Sequence, residues 1–365
     1  MKKTVVVGMS GGVDSSVSAL ILKKAGLNVI GVFMQNWDNL VNNEVNYNSD
    51  TCSITTDYNH ALAVCQKLNI PLYKVDFISE YWNKVFATFI DDYKKGITPN
   101  PDILCNKYIK FEEFAKYCFA NFKCDYVATG HYAKIFKKNN ISYLSEAFDL
   151  EKDQTYFLCC LNQKQISNVI FPLMNLKKTD VRKIAKNYCL DNWNKKDSTG
   201  ICFIGERKFK KFLENYIDNK KGLVIDIDTN EILGDHDGIY FYTIGQRRGL
   251  NLGGNSQKYF VCKKDFDKNI IYVASEENEE KYLMSNKCYL QEFNWISGIP
   301  KSNEVDVRFR HTQKKIKAFF EVINSDLVVL KYPEKSKSVT LGQYAVLYQK
   351  DICLGGGKVK EVFNQ

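Results

Sequence analysis

The sequence predicts an α/β protein in which a doubly wound parallel sheet is followed by a small mixed connector domain and a C-terminal β-barrel-like domain. Apolar, strand-like runs alternate with helical segments up to about residue 205. Beyond this point, short alternating runs are separated by Gly, Asn and Asp, which is typical of small β domains. From these observations we expect domains at residues 1–205, 206–282 and 283–365.

The first domain contains four candidate parallel strands, of which the first, Val5 to Val7, is a short run that is apolar throughout. Such runs are typical of strands that are covered on both faces. The segments between them carry apolar residues at helical spacing, beginning with Val13, Val17 and Leu20. We expect strands at residues 5–7, 28–34 and 71–77, a strand that runs into a glycine turn within 125–133, and helices at 57–69 and 81–96.

The composition of the 365 residues excludes several classes of protein. The net charge of +9 favours an anionic partner such as nucleic acid. The apolar span near residues 17–33 is broken by Lys23 and Lys24, so we expect no membrane segment. No targeting signal is visible, so we expect a cytoplasmic protein. We also expect a monomer. Twelve cysteines without Cys-x-x-Cys spacing, beside only four histidines, argue against a zinc site and indicate mainly buried thiols.

The loop after the first strand has the composition of a phosphate-binding loop, but it contains no lysine. It matches neither Gly-x4-Gly-Lys-Ser/Thr nor Gly-x-Gly-x-x-Gly. Its glycines and the helix that follows still predict an anion site, and neutral serine donors suit a departing pyrophosphate. Asp14 is expected to bind Mg²⁺ or to cap the helix; the alternative is a turn without a ligand. The loop comprises Gly8, Met9, Ser10, Gly11, Gly12, Val13, Asp14 and Ser15.

Two segments each place a cysteine in a setting that favours a thiolate. In "TPNPDILCNKYIKF" (98–111), Cys105 is expected in the first turn of a helix, where the helix field lowers a thiol pKa. In "KKDSTGICFIGERKF" (195–209), Cys202 has basic neighbours on both sides. Taken alone, each cysteine is equally well explained as a buried structural residue.

The loop Ser10-Gly-Gly-Val-Asp-Ser15 resembles the pyrophosphate-loop (PP-loop) signature of the ATP pyrophosphatases. That resemblance alone leaves open GMP, NAD, asparagine and argininosuccinate synthetases, tRNA lysidine synthetase and thiolation enzymes. Further motifs recur in order, and together they resemble the tRNA-specific 2-thiouridylase family over essentially the whole chain. They are NPDILCNK (100–107), TGHYA (129–133), KDQ (152–154), DSTGICFIGER (197–207), YTIGQRRG (242–249) and CLGGG (353–357).

The resemblance implies a PP-loop domain of the adenine nucleotide alpha hydrolase type and a two-step reaction. ATP adenylates O2 of uridine 34 in the tRNAs for Lys, Glu and Gln, and sulfur then replaces the activated oxygen. It implies that residues 8–15, Met34 and Gly130 hold ATP with Mg²⁺, without a permanently bound metal. Cys202 would carry a persulfide, delivered by a sulfur-relay protein or a cysteine desulfurase. Cys105 would be the second thiol, either attacking the persulfide to release sulfide or forming a transient disulfide with Cys202 after direct attack. Asp102 would exchange protons with both thiols.

The resemblance also implies a set of tRNA contacts. Asn100, Pro101 and Asp102 match the segment that cradles the target base. The other matching positions are His131, Lys152, Asp153, Gln154, Arg308, Phe309 and Gln343. Phe309 stands where the family more often has tyrosine, which keeps stacking but loses a hydroxyl contact. Two rivals predict other behaviour: an RNA-binding module without catalysis, and a synthetase that forms AMP independently of tRNA.

Overall fold

The computed structural model describes residues 2–38, 53–197, 212–217, 220–250, 252 and 257–364. Its strands, in chain order, are β1 Thr4–Met9, β2 Asn28–Gln35, β3 Leu72–Asp76, β4 Tyr126–Ala128, β5 Lys134–Lys138, β6 Ile141–Ser145, β7 Val169–Ile170, β8 Gly222–Asp226, β9 Ile232–His236, β10 Tyr259–Asp265, β11 Ile270–Ser275, β12 Met284–Trp295, β13 Glu304–Arg308, β14 Ile316–Val322, β15 Leu327–Lys337, β16 Tyr344–Gln349 and β17 Ile352–Phe363.

The first domain is built on a parallel sheet with the strand order β3-β2-β1-β4-β7. Val5 and Val7 of the central strand β1 face one apolar cluster, and Val6 faces another on the opposite side of the sheet. Burial of each valine contributes about 1.5–3 kcal/mol, which explains why the strand is apolar throughout. The doubly wound parallel sheet expected from the sequence is confirmed.

Helices connect and cover these strands. The helix Val13–Lys24 follows β1 directly, as expected from its apolar spacing. The α-helices are Val13–Lys24, Ser53–Lys67, Ile78–Tyr81, Ala87–Lys94, Pro101–Leu104, Phe114–Phe122, Gln163–Ile166, Lys178–Asn187 and Glu279–Leu283; π-helical stretches span Trp82–Phe86 and Cys105–Glu113. The π stretch Cys105–Glu113 links its two α-helical neighbours into one continuous helical segment over residues 101–122.

The strand expected within 125–133 runs into a glycine turn, as predicted. β4 ends at Ala128, two residues before Gly130. A Cβ atom on Gly130 would lie 2.8 Å from backbone atoms of Asp14 and Ser15, so the chain passes directly over the helix start after leaving the sheet. This close approach ends the strand, and the β5–β6 hairpin follows it.

The C-terminal part is an antiparallel barrel of six strands. Its order is β12-β15-β14-β13-β16-β17, and pairing of β12 with β17 closes it. The hairpin β5–β6 of the first domain extends the ladder from β17, through the pair Cys353 and Leu144. Between the two domains, the chain forms a four-stranded sheet in the order β10-β11-β8-β9. The mixed connector and barrel expected from the sequence are therefore confirmed.

Most of the described cysteines are buried, as the composition suggested: Cys65, Cys105, Cys118, Cys159, Cys160, Cys288 and Cys353. Burial raises the pKa of the Cys65 thiol to about 12. Within the described ranges, no helix combines the length and apolar character needed to cross a membrane.

Candidate functional site

The loop after β1 has a backbone that only glycine can follow at one position. Gly11 has φ of +73°, and a Cβ atom there would lie 2.2 Å from the carbonyl oxygen of Asp57. The next residue, Gly12, is the N-cap of the helix Val13–Lys24, and no side chain makes a capping hydrogen bond to it. The first N–H groups of the helix therefore face the loop without a side-chain acceptor, the arrangement that binds phosphate at helix N-termini.

Two serines hold the loop in shape. The backbone N–H of Ser10 donates to Oγ of Ser15 at 3.2 Å, and the two hydroxyls lie 3.2 Å apart. The hydroxyl of Ser15 donates to the carbonyl oxygen of Gly12 at 3.0 Å. These hydrogen bonds join the two sides of the loop, and they are made only by neutral groups. The glycines allow close approach of a ligand and the helix start favours an anion, which are the features of a loop that binds phosphate.

The other two residues predicted to bind ATP lie beside this loop. The end of the Met34 side chain is 3.4 Å from the position that a Cβ atom would take on Gly8. Gly130 lies against Asp14 and Ser15 at the start of the helix. The structure thus brings together the loop, the end of β2 and the turn after β4, although these segments are far apart in the sequence.

Asp14 does not cap the helix, although capping was one expectation from the sequence. Its carboxylate accepts hydrogen bonds from the hydroxyl of Tyr132 at 2.9 Å and from the ammonium of Lys178 at 2.7 and 2.8 Å. Lys178 is only 8% exposed. A fixed cation therefore does lie next to the loop, but it comes from a helix 164 positions further along the chain.

Two more residues that support the loop were missed by the sequence analysis. The side-chain amide of the buried Asn192 donates to the carbonyl oxygen of Gly11 and to Oγ of Ser16, both at 2.9 Å. The ammonium of Lys195 donates to Asp57, which lies against Gly11, and to the Gly11 carbonyl oxygen. Lys195 was noted only as part of the basic surroundings of Cys202, and no local pattern marks Asn192.

Asp197 is surrounded by three cations. Its carboxylate binds Lys178 at 2.7 Å, Lys152 at 2.9 Å and Arg182 at 2.9 Å. Partial burial alone would raise the pKa of Asp197, but hydrogen bonds from Lys178 and Lys152 outweigh it and lower this pKa to about 2. The carboxylate is therefore ionised at neutral pH and connects Lys152, a predicted tRNA contact, with the lysine that binds Asp14.

The helical segment 101–122, which carries Asp102 and Cys105, packs against the predicted ATP loop (residues 8–15). Asn100 caps it by accepting a hydrogen bond from the backbone N–H of Ile103 at 3.4 Å. Cys105 is 2% exposed and follows Leu104, so it lies after the first turn; the prediction that placed it within that turn is wrong. Further along the segment, the ring of Phe114 comes within 3.5 Å of the Cβ position of Gly8.

Cys202 lies outside the described residues, as do Ser198 to Lys211. The chain on either side of this stretch is described. Asp197, on one side, is joined through Lys178 to the ATP loop. Phe212, on the other side, packs in the same apolar cluster as Cys105.

The barrel contacts the loop that precedes the Cys105 helix. The side-chain amide of Gln343 donates to the carbonyl oxygens of Thr98 and Pro99, at 3.0 and 3.2 Å. The backbone before Asn100 is thus held by a residue that was predicted to contact tRNA. A cavity of about 350 Å³ adjoins this contact, and Thr98, Thr243, Gln246, Arg310, Thr340 and Gln343 contribute to its lining.

Two predicted tRNA contacts form a buried ion pair between the first domain and the barrel. Arg308 binds Asp153 at 3.2 Å and Glu146 at 3.0 Å, and the two carboxylate side chains are 1% and 7% exposed. Asp153 also accepts a hydrogen bond from the hydroxyl of Thr155 at 2.6 Å. In this structure Arg308 and Asp153 join the domains, and their contact with tRNA stays a prediction.

The remaining predicted tRNA contacts differ in exposure. His131 is 8% exposed, and its Nδ1 lies 2.7 Å from the hydroxyl of Thr129. Burial, together with the charge of Lys110, lowers the pKa of His131 well below its usual value. Phe309 is buried in the barrel core. The side-chain oxygen of Gln154 accepts a hydrogen bond from the backbone N–H of Tyr132 at 2.9 Å.

Comparison with known proteins gives the relationship of the chain. Family models match residues 3–206 as a tRNA methyl transferase HUP domain, 210–275 as a tRNA methyl transferase PRC-barrel domain and 285–359 as an aminomethyltransferase beta-barrel domain. A tRNA-specific 2-thiouridylase MnmA from Malacoplasma penetrans is 57% identical over 100% of both chains.

The chain belongs to the tRNA-specific 2-thiouridylase family. The MnmA of Ureaplasma urealyticum is 53% identical, over 99% of this chain and 96% of its own. The recognition made from the motifs is therefore confirmed over the full length. Among solved structures, a 4-thiouridine synthetase–RNA complex with bound ATP covers 58% of this chain and 49% of its own, at 14% identity. Its TM-score of 0.34 is too low to support any inference about this family member.

The described part of this 2-thiouridylase family member holds no group of three or more His, Cys, Asp or Glu side chains arranged to bind a metal ion. Asp14 lies in the predicted phosphate loop, and its carboxylate oxygens accept hydrogen bonds from Lys178 and Tyr132. The carboxylate oxygens of Asp14 would be the ligands for Mg²⁺ that arrives with ATP, because this ion prefers oxygen donors.

Proposed function

We propose that this chain catalyses ATP-dependent 2-thiolation of uridine 34 in the tRNAs for Lys, Glu and Gln. ATP adenylates O2 of the base, and sulfur from a persulfide on Cys202 replaces the activated oxygen. The products are 2-thiouridine, AMP and pyrophosphate. We further propose that it acts in the cytoplasm as a monomer with domains at residues 1–205, 206–282 and 283–365, and that a sulfur-relay protein or a cysteine desulfurase supplies the sulfur.

The observation that supports this proposal is the packing of the Cys105 segment against the loop at the end of β1, together with the positions of the described residues that border the Cys202 stretch. The ATP loop lies at the end of β1, and the segment with Cys105 packs against it through Phe114. The stretch that contains Cys202 is bordered by Asp197, which is linked to the loop, and by Phe212, which packs in the cluster of Cys105. Both ends of that stretch therefore lie near the groups with which Cys202 would react.

The chemistry assigns a separate task to each segment. The loop binds the leaving pyrophosphate through backbone N–H groups and the serines, since α–β cleavage needs no lysine directed at the γ-phosphate. Adenylation turns O2 of the base into a good leaving group, and a sulfur anion is an effective nucleophile at C2. In one route, Cys105 attacks the inner sulfur of the Cys202 persulfide, which forms the Cys105–Cys202 disulfide and releases hydrosulfide to attack C2. In the other, the terminal persulfide sulfur attacks C2 and AMP leaves, after which Cys105 attacks the Cys202 sulfur, forms the same disulfide and releases the thiolated base. Asp102, one helical turn before Cys105, exchanges protons with these thiols.

The target base must leave its stack to be modified. Asn100, Pro101 and Asp102 are proposed to receive it, because the capped turn before the Cys105 helix is fixed by Gln343 from the barrel. Lys152 and Gln154 are proposed as contacts with the surrounding nucleotides. His131, Asp153, Arg308 and Phe309 are proposed to reach tRNA only with a change in their present buried packing.

The function is tested with purified protein, ATP, a sulfide source and an unmodified tRNA transcript. We expect 2-thiouridine and AMP in equal amounts, with AMP formation dependent on tRNA. Cys202→Ala is expected to abolish thiolation supported by a persulfide donor while changing tRNA affinity less than about threefold, since a thiol makes little contribution to phosphate binding.

Cys105→Ser is compared with Cys118→Ser, because both cysteines are buried in the same helical segment. Only Cys105→Ser is expected to remove thiolation, since Cys118 belongs to no motif. AMP release that is independent of tRNA would instead indicate a small-molecule synthetase. Binding of tRNA with no AMP release at all would indicate an RNA-binding module.

A further inference from the structure

The structure contains a network of ion pairs that links three parts of the proposed site. Lys178 is shared between Asp14 in the ATP loop and Asp197, with contacts of 2.7 Å to each. Asp197 also binds Lys152, the predicted tRNA contact, and Arg182. Five charged groups thus connect the loop with Lys152, the predicted tRNA contact.

We propose that Asp197 is a positioning residue that keeps adenylation coupled to sulfur transfer. Through Lys178 it fixes its own segment, in which Cys202 follows five residues later, to the ATP loop. Through Lys152 it fixes the same segment to a residue that contacts the substrate tRNA. This inference rests on the proposed function, and it assigns Asp197 a role beyond folding.

Burial and charge support this role. Lys178 is 8% exposed, so its ammonium is paired with two carboxylates instead of being solvated by bulk water. The network has three cations and two carboxylates, which gives a net charge of +1 beside the predicted phosphate site. Arg182 braces the segment further, because its guanidinium donates to the carbonyl oxygens of Trp193 and Lys195 at 3.1 and 2.9 Å.

Asp197→Asn separates the two halves of the network. The amide has nearly the same shape, and Lys178 keeps its pair with Asp14, so the ATP loop retains its support. Lys152 and Arg182 lose their anionic partner, so Asp197, the last described residue before Cys202, loses its ion pairs with them. We therefore expect adenylation to continue while sulfur delivery becomes misplaced.

The chemical balance provides a readout that unfolding does not mimic. In productive turnover, sulfur forms a bond to C2 and AMP leaves with the former O2 oxygen, so one 2-thiouridine appears per AMP. When sulfur is not positioned, water attacks the adenylated base instead, and uridine and AMP are released without thiolation. Loss of folded enzyme lowers both products together, whereas loss of positioning lowers only the ratio of 2-thiouridine to AMP.

The experiment measures this ratio with the full-length protein, ATP, a persulfide donor and a tRNA transcript. For Asp197→Asn we expect the ratio to fall by about tenfold, the size of effect that small misplacement of reacting groups produces, while tRNA-dependent AMP formation changes less than about threefold. Asp197→Glu keeps the carboxylate and is expected to recover part of the ratio. Asp180→Asn, which breaks an exposed pair with Lys183 on the helix that begins with Lys178, is the matched control and should leave the ratio unchanged.

A double variant tests whether Asp197 acts through Lys152. If it does, Asp197→Asn combined with Lys152→Met lowers the ratio no further than the stronger single variant. Equal falls of AMP and 2-thiouridine in Asp197→Asn, or additive effects in the double variant, would overturn the inference while leaving the proposed function intact. A wild-type protein that forms AMP with tRNA but no 2-thiouridine would instead reject the proposed function, and the inference with it.

Discussion

Gly11→Ala is the substitution for which the structure makes the sharpest prediction. The variant must place a Cβ atom 2.2 Å from the carbonyl oxygen of Asp57, about 1.3 Å closer than an ordinary nonbonded contact. Because that oxygen belongs to the helix Ser53–Lys67, neither side can move freely. The added residue must also adopt φ of +73°, which disfavours any side chain.

The two costs can be separated with a matched glycine. Gly26 has φ of +80°, but no atom among the described residues lies within 4 Å of its Cβ position. Gly26→Ala therefore carries only the backbone strain, about 1 kcal/mol after the loss of unfolded-state entropy is considered. Gly11→Ala carries the same strain and an overpacking term of about 1–3 kcal/mol, so we expect about 2–4 kcal/mol in total.

Urea unfolding of both variants measures these free energies, and equilibrium binding of a non-hydrolysable ATP analogue measures the effect on the loop. We expect Gly11→Ala to weaken ATP binding at least about tenfold, because the loop shifts relative to the helix N-terminus. Gly26→Ala should leave the affinity unchanged. The reasoning fails if the two variants are equally stable and bind the analogue equally well.

Two further predictions concern buried charge. Arg308→Met removes the cation that pairs with Asp153 and Glu146, and we expect urea unfolding to show a free energy of unfolding lower by about 3–5 kcal/mol. The control Lys317→Met breaks an exposed ion pair and should lower it by less than about 1 kcal/mol. Equal losses in the two variants would contradict the buried pairing. The folded-state pKa of His131 is lowered, so below about pH 6.5 the unfolded chain binds a proton that the folded chain does not, and stability falls as the pH is lowered. His131→Gln should lose part of this dependence, compared by urea midpoints at two pH values, and an unchanged pH dependence would show that His131 is not its source.

The sequence predicted the features that depend on local pattern. Apolar runs indicated the parallel strands, because a strand covered on both faces must be apolar throughout. The glycines indicated the phosphate loop, and the structure shows why Gly11 must be glycine. The glycine turn after β4 was expected, but the close approach of Gly130 to the helix start is a tertiary contact that no local pattern reveals.

The cations of the site could not be predicted in the same way. Lys178 opens a helix that looks like any exposed amphipathic segment, and only the fold places its ammonium against Asp14, 164 positions earlier. The pair of Arg308 with Asp153 spans 155 positions. The family resemblance identified Arg308 and Asp153 as functional positions. A resemblance in sequence does not distinguish a contact with tRNA from a contact between domains.

The central claim is that one site activates a tRNA base with ATP and then transfers sulfur to it. Nucleoside analysis by mass spectrometry, on tRNA transcripts for Lys, Glu and Gln after reaction with ATP and a persulfide donor, tests it most directly. We expect 2-thiouridine at position 34 alone, and none in transcripts in which this base is replaced by cytidine. Modification at another position, or AMP formation with no thiolated nucleoside, would contradict the account.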